Sequence, residues 1–223
     1  MDEGASFRRQ LLLFLGVVGV VLLVVFAGLI DTPGKSRVST DRLGPEQGER
    51  VSTYLERAQA SLTGSEQSRI ALVSFDTEVA PAQAYDMLGG VRIGEVLFQV
   101  PIPDVATRLV VIQVGDSREA VLDSSEIAAA ELNRFAGRSG PERQQRVDDV
   151  SAQRLAAGCA CVVGVTVRAT PSKLTEIAAR EGVRAVEALP ADAIAGAYAL
   201  VPLLPEQTEV VLPLPDDGAV PAA

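Results

Sequence analysis

Histidine is missing from this chain of 223 residues. Its absence excludes the commonest general base, the Ser-His and Cys-His nucleophile pairs and most zinc sites. Both glycine-rich phosphate-binding patterns, the loop ending in Lys-Ser/Thr and G-x-G-x-x-G, are missing as well. Neighbouring carboxylates occur at Asp148-Asp149 and Asp216-Asp217, but adjacent residues of a helix point in different directions. We therefore expect no catalytic residue, no cofactor, no metal and no enzymatic activity.

Lysine is nearly missing, because Lys35 and Lys173 are the only two and every other basic residue is an arginine. The 20 basic and 29 acidic residues give a net charge of −9, which argues against nucleic acid and anionic lipid headgroups as partners. Lys173 follows Ser172 in the order of a Ser-Lys nucleophile pair. The first turn of a helix after Pro171 is the favoured interpretation of these two residues.

Arginines recur between residues 134 and 154, with acidic residues among them. A salt-bridged helix surface facing solvent is the ordinary interpretation of such a pattern. The alternative is a docking surface for an acidic partner or an anionic cell-wall polymer, with Arg143 and Arg146 as its candidate contacts.

Cysteine occurs only at Cys159 and Cys161. In a regular strand the two side chains point to one face, with Cα atoms about 7 Å apart, near the limit for a disulfide. Buried thiols are therefore the favoured interpretation. A local disulfide is the alternative, if the chain bends at Gly158 in an oxidising exterior, and a redox or metal role ranks last.

One uncharged run of twenty residues, Leu11 to Ile30, stands out from the rest of the sequence. A helix of that length spans about 30 Å, the thickness of the hydrocarbon core of a bilayer. Arg8 and Arg9 precede the run and favour a cytoplasmic N-terminus, although basic residues also follow the run. We expect a single-pass anchor in the cell membrane with the large domain outside the cytoplasm. Cleavage after Ala27 is the alternative, but the apolar core is long for a signal peptide.

The composition after this run predicts a short linker, one domain and a final segment rich in proline and acidic residues. A helix is predicted from Pro45, with an apolar face that begins at Val51 and ends at Leu62. Packing of this face on its own domain is favoured, and a dimerising coiled coil is the alternative. The predicted parts are a cytoplasmic tail (1–10), a transmembrane helix (11–30), a juxtamembrane linker (31–44), an extracytoplasmic α+β domain (45–201) and a Pro-rich acidic tail (202–223).

Residues 69–99 and 159–189 repeat one pattern: a strand, a helix that begins with proline, Gly-Val-Arg and a second strand. Two such βαβ units make up a ferredoxin-like sandwich, which is the fold we predict. A further strand and a pair of helices are inserted between the units. The predicted strands are 69–75, 91–100, 107–114, 159–168 and 183–189, and the predicted helices are 81–88, 124–136, 141–157 and 171–181.

The run from Leu155 to Val162 contains Cys-Ala-Cys-Val, and Gly-Val-Arg-Ala-Val follows from Gly182. These residues, together with the anchor and its Pro-Gly and arginine-rich linker, resemble a group of single-pass membrane proteins from actinobacteria. The resemblance implies no particular activity. The unit at 159–189 is also similar, in fold alone, to the propeptide-type inhibitor domains of subtilisin-like proteases.

The tail from Pro202 is predicted to be extended and mostly disordered, because proline removes backbone donors and uncompensated charge resists burial. Within it Val210, Val211 and Leu212 are apolar enough to add to a sheet edge, either in this domain or in a partner. The expected function is that of a non-enzymatic accessory or scaffold protein of the bacterial envelope, which binds another envelope protein. The alternatives are a propeptide-like protease inhibitor or chaperone and a thiol–disulfide redox protein.

Overall fold

The structure is a computed structural model that describes residues 41–136 and 141–222. The predicted membrane span Leu11–Ile30, the tail before it and most of the linker lie outside the described residues. Among the residues it does describe, the structure has no helix that is both long and apolar enough to cross a bilayer.

The described chain is a mixture of helices and strands, which confirms the α+β class. Its elements follow one another as β1 (Arg42–Leu43), α1 (Val51–Ser61), β2 (Arg69–Val79), α2 (Pro81–Met87), β3 (Ile93–Phe98), β4 (Val110–Gln113), α3 (Arg118–Leu122), α4 (Ser124–Ala136), α5 (Glu142–Ala156), β5 (Val162–Ala169), α6 (Pro171–Ala178), β6 (Val183–Ala188) and β7 (Ala199–Leu200).

Five strands form one antiparallel sheet in the order β4-β3-β5-β2-β6. Both β2 and β3 run antiparallel to β5, so they are parallel to each other and β5 lies between them. In the same way β2 lies between β5 and β6. The β2-α2-β3 and β5-α6-β6 units therefore interlock. Between the two strands of each unit lies one strand of the other unit. β4 extends the sheet at one edge, and β1 pairs with β7 in a separate parallel pair.

The central strands are buried on both faces, which explains their nearly unbroken apolar sequence. On one face Val165 and Val167 pack in the main core with the helices. On the other face Val163 packs with Leu72 in a smaller cluster covered by the segment after β6. A β-carbon at Gly164 would lie 2.6 Å from the Val73 carbonyl oxygen, so this position requires glycine at the closest approach of β2 and β5.

Helices α2 and α6 begin with Pro81 and Pro171, as the repeat predicts. The Thr170 hydroxyl caps α6 by accepting a hydrogen bond from the Lys173 amide, so Ser172-Lys173 forms a helical first turn. The inserted helices α4 and α5 lie where they were predicted and pack on each other and on the main core. The polar α5 buries one face and exposes the other, which is typical of a surface helix.

Helix α1 begins at Val51 instead of Pro45, because the residues before Val51 are engaged in extended contacts with β7 and with the C-terminal segment. Its apolar face packs against β6 through Val51, Tyr54 and Ala58. The face predicted for α1 is thus buried on its own domain.

The C-terminal segment is extended, but it is packed on the domain, so the expected disorder is wrong for the residues up to 222. Leu203 is fully buried and Val211 is only 5% exposed. The two side chains join the cluster of α1 and Ala185. Proline does not prevent this packing, because the apolar side chains point inward while Glu206 and Glu209 stay exposed.

Candidate binding groove

The two cysteines form a disulfide with Cα atoms 5.4 Å apart. Strand β5 begins at Val162, so Cys159 and Cys161 lie in the turn before the strand and the spacing of a regular strand does not apply. Gly158 has a φ of +75° and makes the bend that the alternative interpretation requires. The favoured interpretation as buried thiols is therefore wrong.

The disulfide lies between the end of α5 and the start of β5. The Cys159 amide donates to the Arg154 carbonyl at 3.1 Å, and the Cys161 carbonyl accepts from the Gln99 amide at 2.9 Å. Cys161 is completely buried in the main core, whereas Cys159 is half-buried. Because thiol exchange requires attack on an accessible sulfur, the complete burial of Cys161 protects that half of the bridge from attack.

A groove with a cavity volume of about 940 Å³ lies between two parts of the chain, residues 101–105 and 206–215. Neither lysine nor arginine is among its lining residues. Its acidic lining residues are Glu78, Asp104, Glu206 and Glu209, and its apolar ones include Ile102, Val105, Val210, Leu212, Leu214 and four prolines.

One end of the groove is closed by contacts between its two walls. The Ala106 amide donates to an Asp216 carboxylate oxygen at 3.2 Å, and the Gly218 amide donates to the Asp104 carbonyl at 2.7 Å. Arg143 of α5 donates to the same Asp216 oxygen at 3.0 Å. The hydrogen bond from Arg143 is the main reason that the pKa of Asp216 is lowered. The wall at 206–215 is thereby held against the wall at 101–105.

The second wall is held by α1 and the turn before it. The Val51 amide donates to the Glu209 carbonyl and the Val211 amide donates to the Glu49 carbonyl, each at 2.9 Å. These bonds flank the antiparallel pair of Arg50 and Val210. In such a ladder successive residues present their backbone groups to opposite sides.

Val210 consequently directs its amide and carbonyl away from Arg50. Within the described residues, neither group makes a hydrogen bond. Val210 also lines the groove. One wall of the groove therefore has one residue, Val210, whose backbone amide and carbonyl are unpaired, while the next carbonyl on that side, that of Leu212, accepts a hydrogen bond from the Gln207 side chain at 3.1 Å.

The predicted partner contacts fall in three different environments. Val210 and Leu212 line the groove, and Leu212 is 57% exposed. Val211 points the other way into the core, so its side chain is inaccessible to a partner. Arg143 is engaged by Asp216, and Arg146 lies 3.9 Å from Glu142 one helical turn earlier.

Two carboxylates in the sheet, which the sequence analysis missed, are buried. Glu187 accepts hydrogen bonds from Arg57 and from the Gly44 amide, and so fastens α1 and the segment after β1 to β6. Burial raises the pKa of Glu187, although both donors act in the opposite direction. Arg57 also binds Glu49 at 3.0 Å, and this hydrogen bond is the main reason that the pKa of Arg57 is raised.

The second buried carboxylate, Glu95, lies beside a cavity of about 410 Å³. Its Oε2 atom accepts from the Thr166 hydroxyl at 2.9 Å and from the Tyr198 hydroxyl at 2.8 Å. Burial, followed by this bond to Glu95, raises the pKa of Tyr198 to about 12. The Oε2 atom of Glu95 thus already accepts two hydrogen bonds from neutral hydroxyl groups of the chain itself.

Comparison with known proteins gives no relative: no protein family matches the chain, and no characterised protein or solved structure matches it either. Among the described residues no group of carboxylates and cysteines is arranged to hold a metal ion.

Proposed function

We propose that this protein is a membrane-anchored accessory protein of the bacterial envelope, whose extracytoplasmic domain binds another envelope protein in the groove between residues 101–105 and 206–215. The observation that carries the proposal is the lining of this groove: four carboxylates and no basic side chain, beside an exposed leucine. An acidic groove with no basic side chain in its lining favours a partner of opposite charge.

We infer that the domain that presents the groove is a ferredoxin-like sandwich with one added edge strand. The strand order β6-β2-β5-β3, formed by two interlocking βαβ units, supports this inference. The inserted helices add Arg143, which holds one wall of the groove through Asp216. In this account the fold is a scaffold and the groove is the functional part.

A site-specific cross-link in living cells tests the proposal. A photoreactive residue at Leu212, on the groove, is compared with one at Ile127, an exposed residue of α4 at 50% exposure. We expect one defined envelope protein to be cross-linked from position 212 and not from position 127. Equal cross-linking from the two positions, or none from position 212, would contradict the proposal.

A further inference from the structure

We propose that the groove takes an extended segment of the partner that carries lysine or arginine and adds as a strand to the free edge at Val210. This inference rests on the proposed function and specifies the chemistry of the bound segment.

Unpaired backbone groups on one wall of the groove support strand addition. The pair of Arg50 and Val210 uses the backbone groups of Glu209 and Val211 and leaves those of Val210 unpaired. An unpaired strand edge is a template for a further strand, and its main-chain bonds supply affinity without requiring a particular sequence. A partner strand along this edge would therefore bind by its own amides and carbonyls.

The size of the groove suits a short segment of a partner. Residues 208 and 209 form a bend, so the part of this wall that can pair with a strand is confined to the residues around Val210. The volume of about 940 Å³ lies at the upper end of the range of ligand cavities. Prolines at 101, 103, 213 and 215 occur in the two walls and limit the backbone freedom of both.

The charge of the lining selects the side chains of the bound segment. Side chains of a bound strand point alternately to its two sides. The lining that they would meet includes the carboxylates of Glu78, Glu206 and Glu209 and the exposed side chain of Leu212. A segment that alternates basic and apolar residues satisfies both surfaces, whereas an acidic segment is repelled.

Binding of defined peptides to the full-length protein in detergent micelles tests this proposal. The probe is a blocked, fluorescein-labelled peptide of alternating lysine and valine, measured by fluorescence anisotropy at physiological ionic strength, where distant charges are screened. Two further probes are the glutamate–valine peptide and the lysine–valine peptide with N-methylated backbone amides.

Two protein variants complete the experiment. The groove variant carries Glu78→Gln, Glu206→Gln and Glu209→Gln, which remove three charges without changing side-chain size. The control variant carries Glu56→Gln, Glu181→Gln and Asp192→Asn, which remove three charges from exposed residues outside the groove lining. Equal melting temperatures of the two variants verify that both are folded.

We expect the lysine–valine peptide to bind the original chain and the control variant alike, and the groove variant at least tenfold more weakly. We expect N-methylation to weaken binding by a similar factor and the glutamate–valine peptide not to bind. Equal weakening in the two variants would overturn the proposal, because the attraction would then be non-specific. Binding that survives N-methylation would overturn strand addition, while the cross-link from Leu212 would still support the groove as the partner site.

Discussion

Arg143 and Asp216 join two distant parts of the chain, helix α5 and the C-terminal segment, through an ion pair of 3.0 Å. The same guanidinium donates to the Asp216 carbonyl at 3.1 Å, and the Asp216 carboxylate accepts from the Ala106 amide. Asp216 is thus the point at which the inserted helices, the loop before β4 and the final segment meet.

This arrangement predicts that acid releases the end of the C-terminal segment. The pKa of Asp216 is lowered in the folded chain, chiefly by Arg143, so its contribution is present above its unfolded pKa of about 3.9. That contribution is lost as the pH falls through the lower folded value. We expect the protection of the Ala106 and Gly218 amides from hydrogen exchange, measured relative to the intrinsic rate at each pH, to fall below about pH 4. The variant Asp216→Asn should show fast exchange at neutral pH, and unchanged exchange in it would contradict the prediction.

Replacement by alanine is expected to have very different effects on stability at two neighbouring residues of the C-terminal segment. Val211→Ala removes buried methyl groups and should lower the free energy of unfolding by about 1–3 kcal/mol. Leu212→Ala, at an exposed position, should change it by less than about 0.5 kcal/mol. Denaturant unfolding of the two variants measures the difference. Equal effects would show that the segment is not packed as described.

If the tail from Pro202 were mostly disordered, as the sequence predicts, truncation after Leu204 would lower the melting temperature by only a few degrees. The burial of Val211 and its backbone bonds to Gly48 and Glu49 change that expectation. Loss of these contacts should cost several kcal/mol, so we expect the melting temperature to fall by roughly 10 °C. Differential scanning fluorimetry of the truncated chain measures this fall in melting temperature. A fall of only one or two degrees would contradict the prediction and indicate that the tail contributes little to the stability of the domain.

The disulfide is expected to stabilise the domain without taking part in binding. Replacement of Cys159 and Cys161 together by alanine should lower the free energy of unfolding by about 1–3 kcal/mol, because a very short loop gains little from closure and the buried Cys161 also loses packing. Cross-linking of the partner from Leu212 should persist. A fully folded double variant that no longer captures the partner would indicate a chemical role for the sulfurs.

The orientation of the chain is tested by a reporter that is active only outside the cytoplasm. Fused after Ala223, it should be active, because Arg8 and Arg9 precede the predicted span Leu11–Ile30. The same reporter fused after Gln10 serves as the control and should be inactive. Activity of a cytoplasm-specific reporter at Ala223 instead would exclude the extracytoplasmic location.

The sequence predicted the sheet well because its strands and helices carry local signals. Prolines at 81 and 171 begin two helices, and the alternating or continuous runs of valine and isoleucine mark the strands between them. These signals depend on neighbours in sequence, so the central strands and the inserted helices lie close to their predicted bounds.

The groove was predicted only in part, because its parts are distant in sequence. Val210 and Leu212 were identified from their apolar character between prolines. The burial of Val211 depends on Val51 and Tyr54 of α1, which no local pattern connects to it. The ion pair of Arg57 and Glu187 is equally non-local, and Glu187 looked like an ordinary strand residue. The cysteines were misjudged because β5 begins later than its apolar sequence indicates.

The interlocking of the two βαβ units also determines how the domain can be made. β2 and β3 are synthesised early but do not pair with each other. β3 can pair with β4, but β2 and the other edge of β3 have no partner until β5 at Val162–Ala169 is made. Most of the domain must leave the ribosome before its central ladder can form, and such non-local pairing is slow. Until then the early strands have unpaired apolar edges that favour aggregation. A chain stopped before β5 should therefore depend on chaperones, whereas a chain that extends past Ala188 has every strand of the five-stranded sheet.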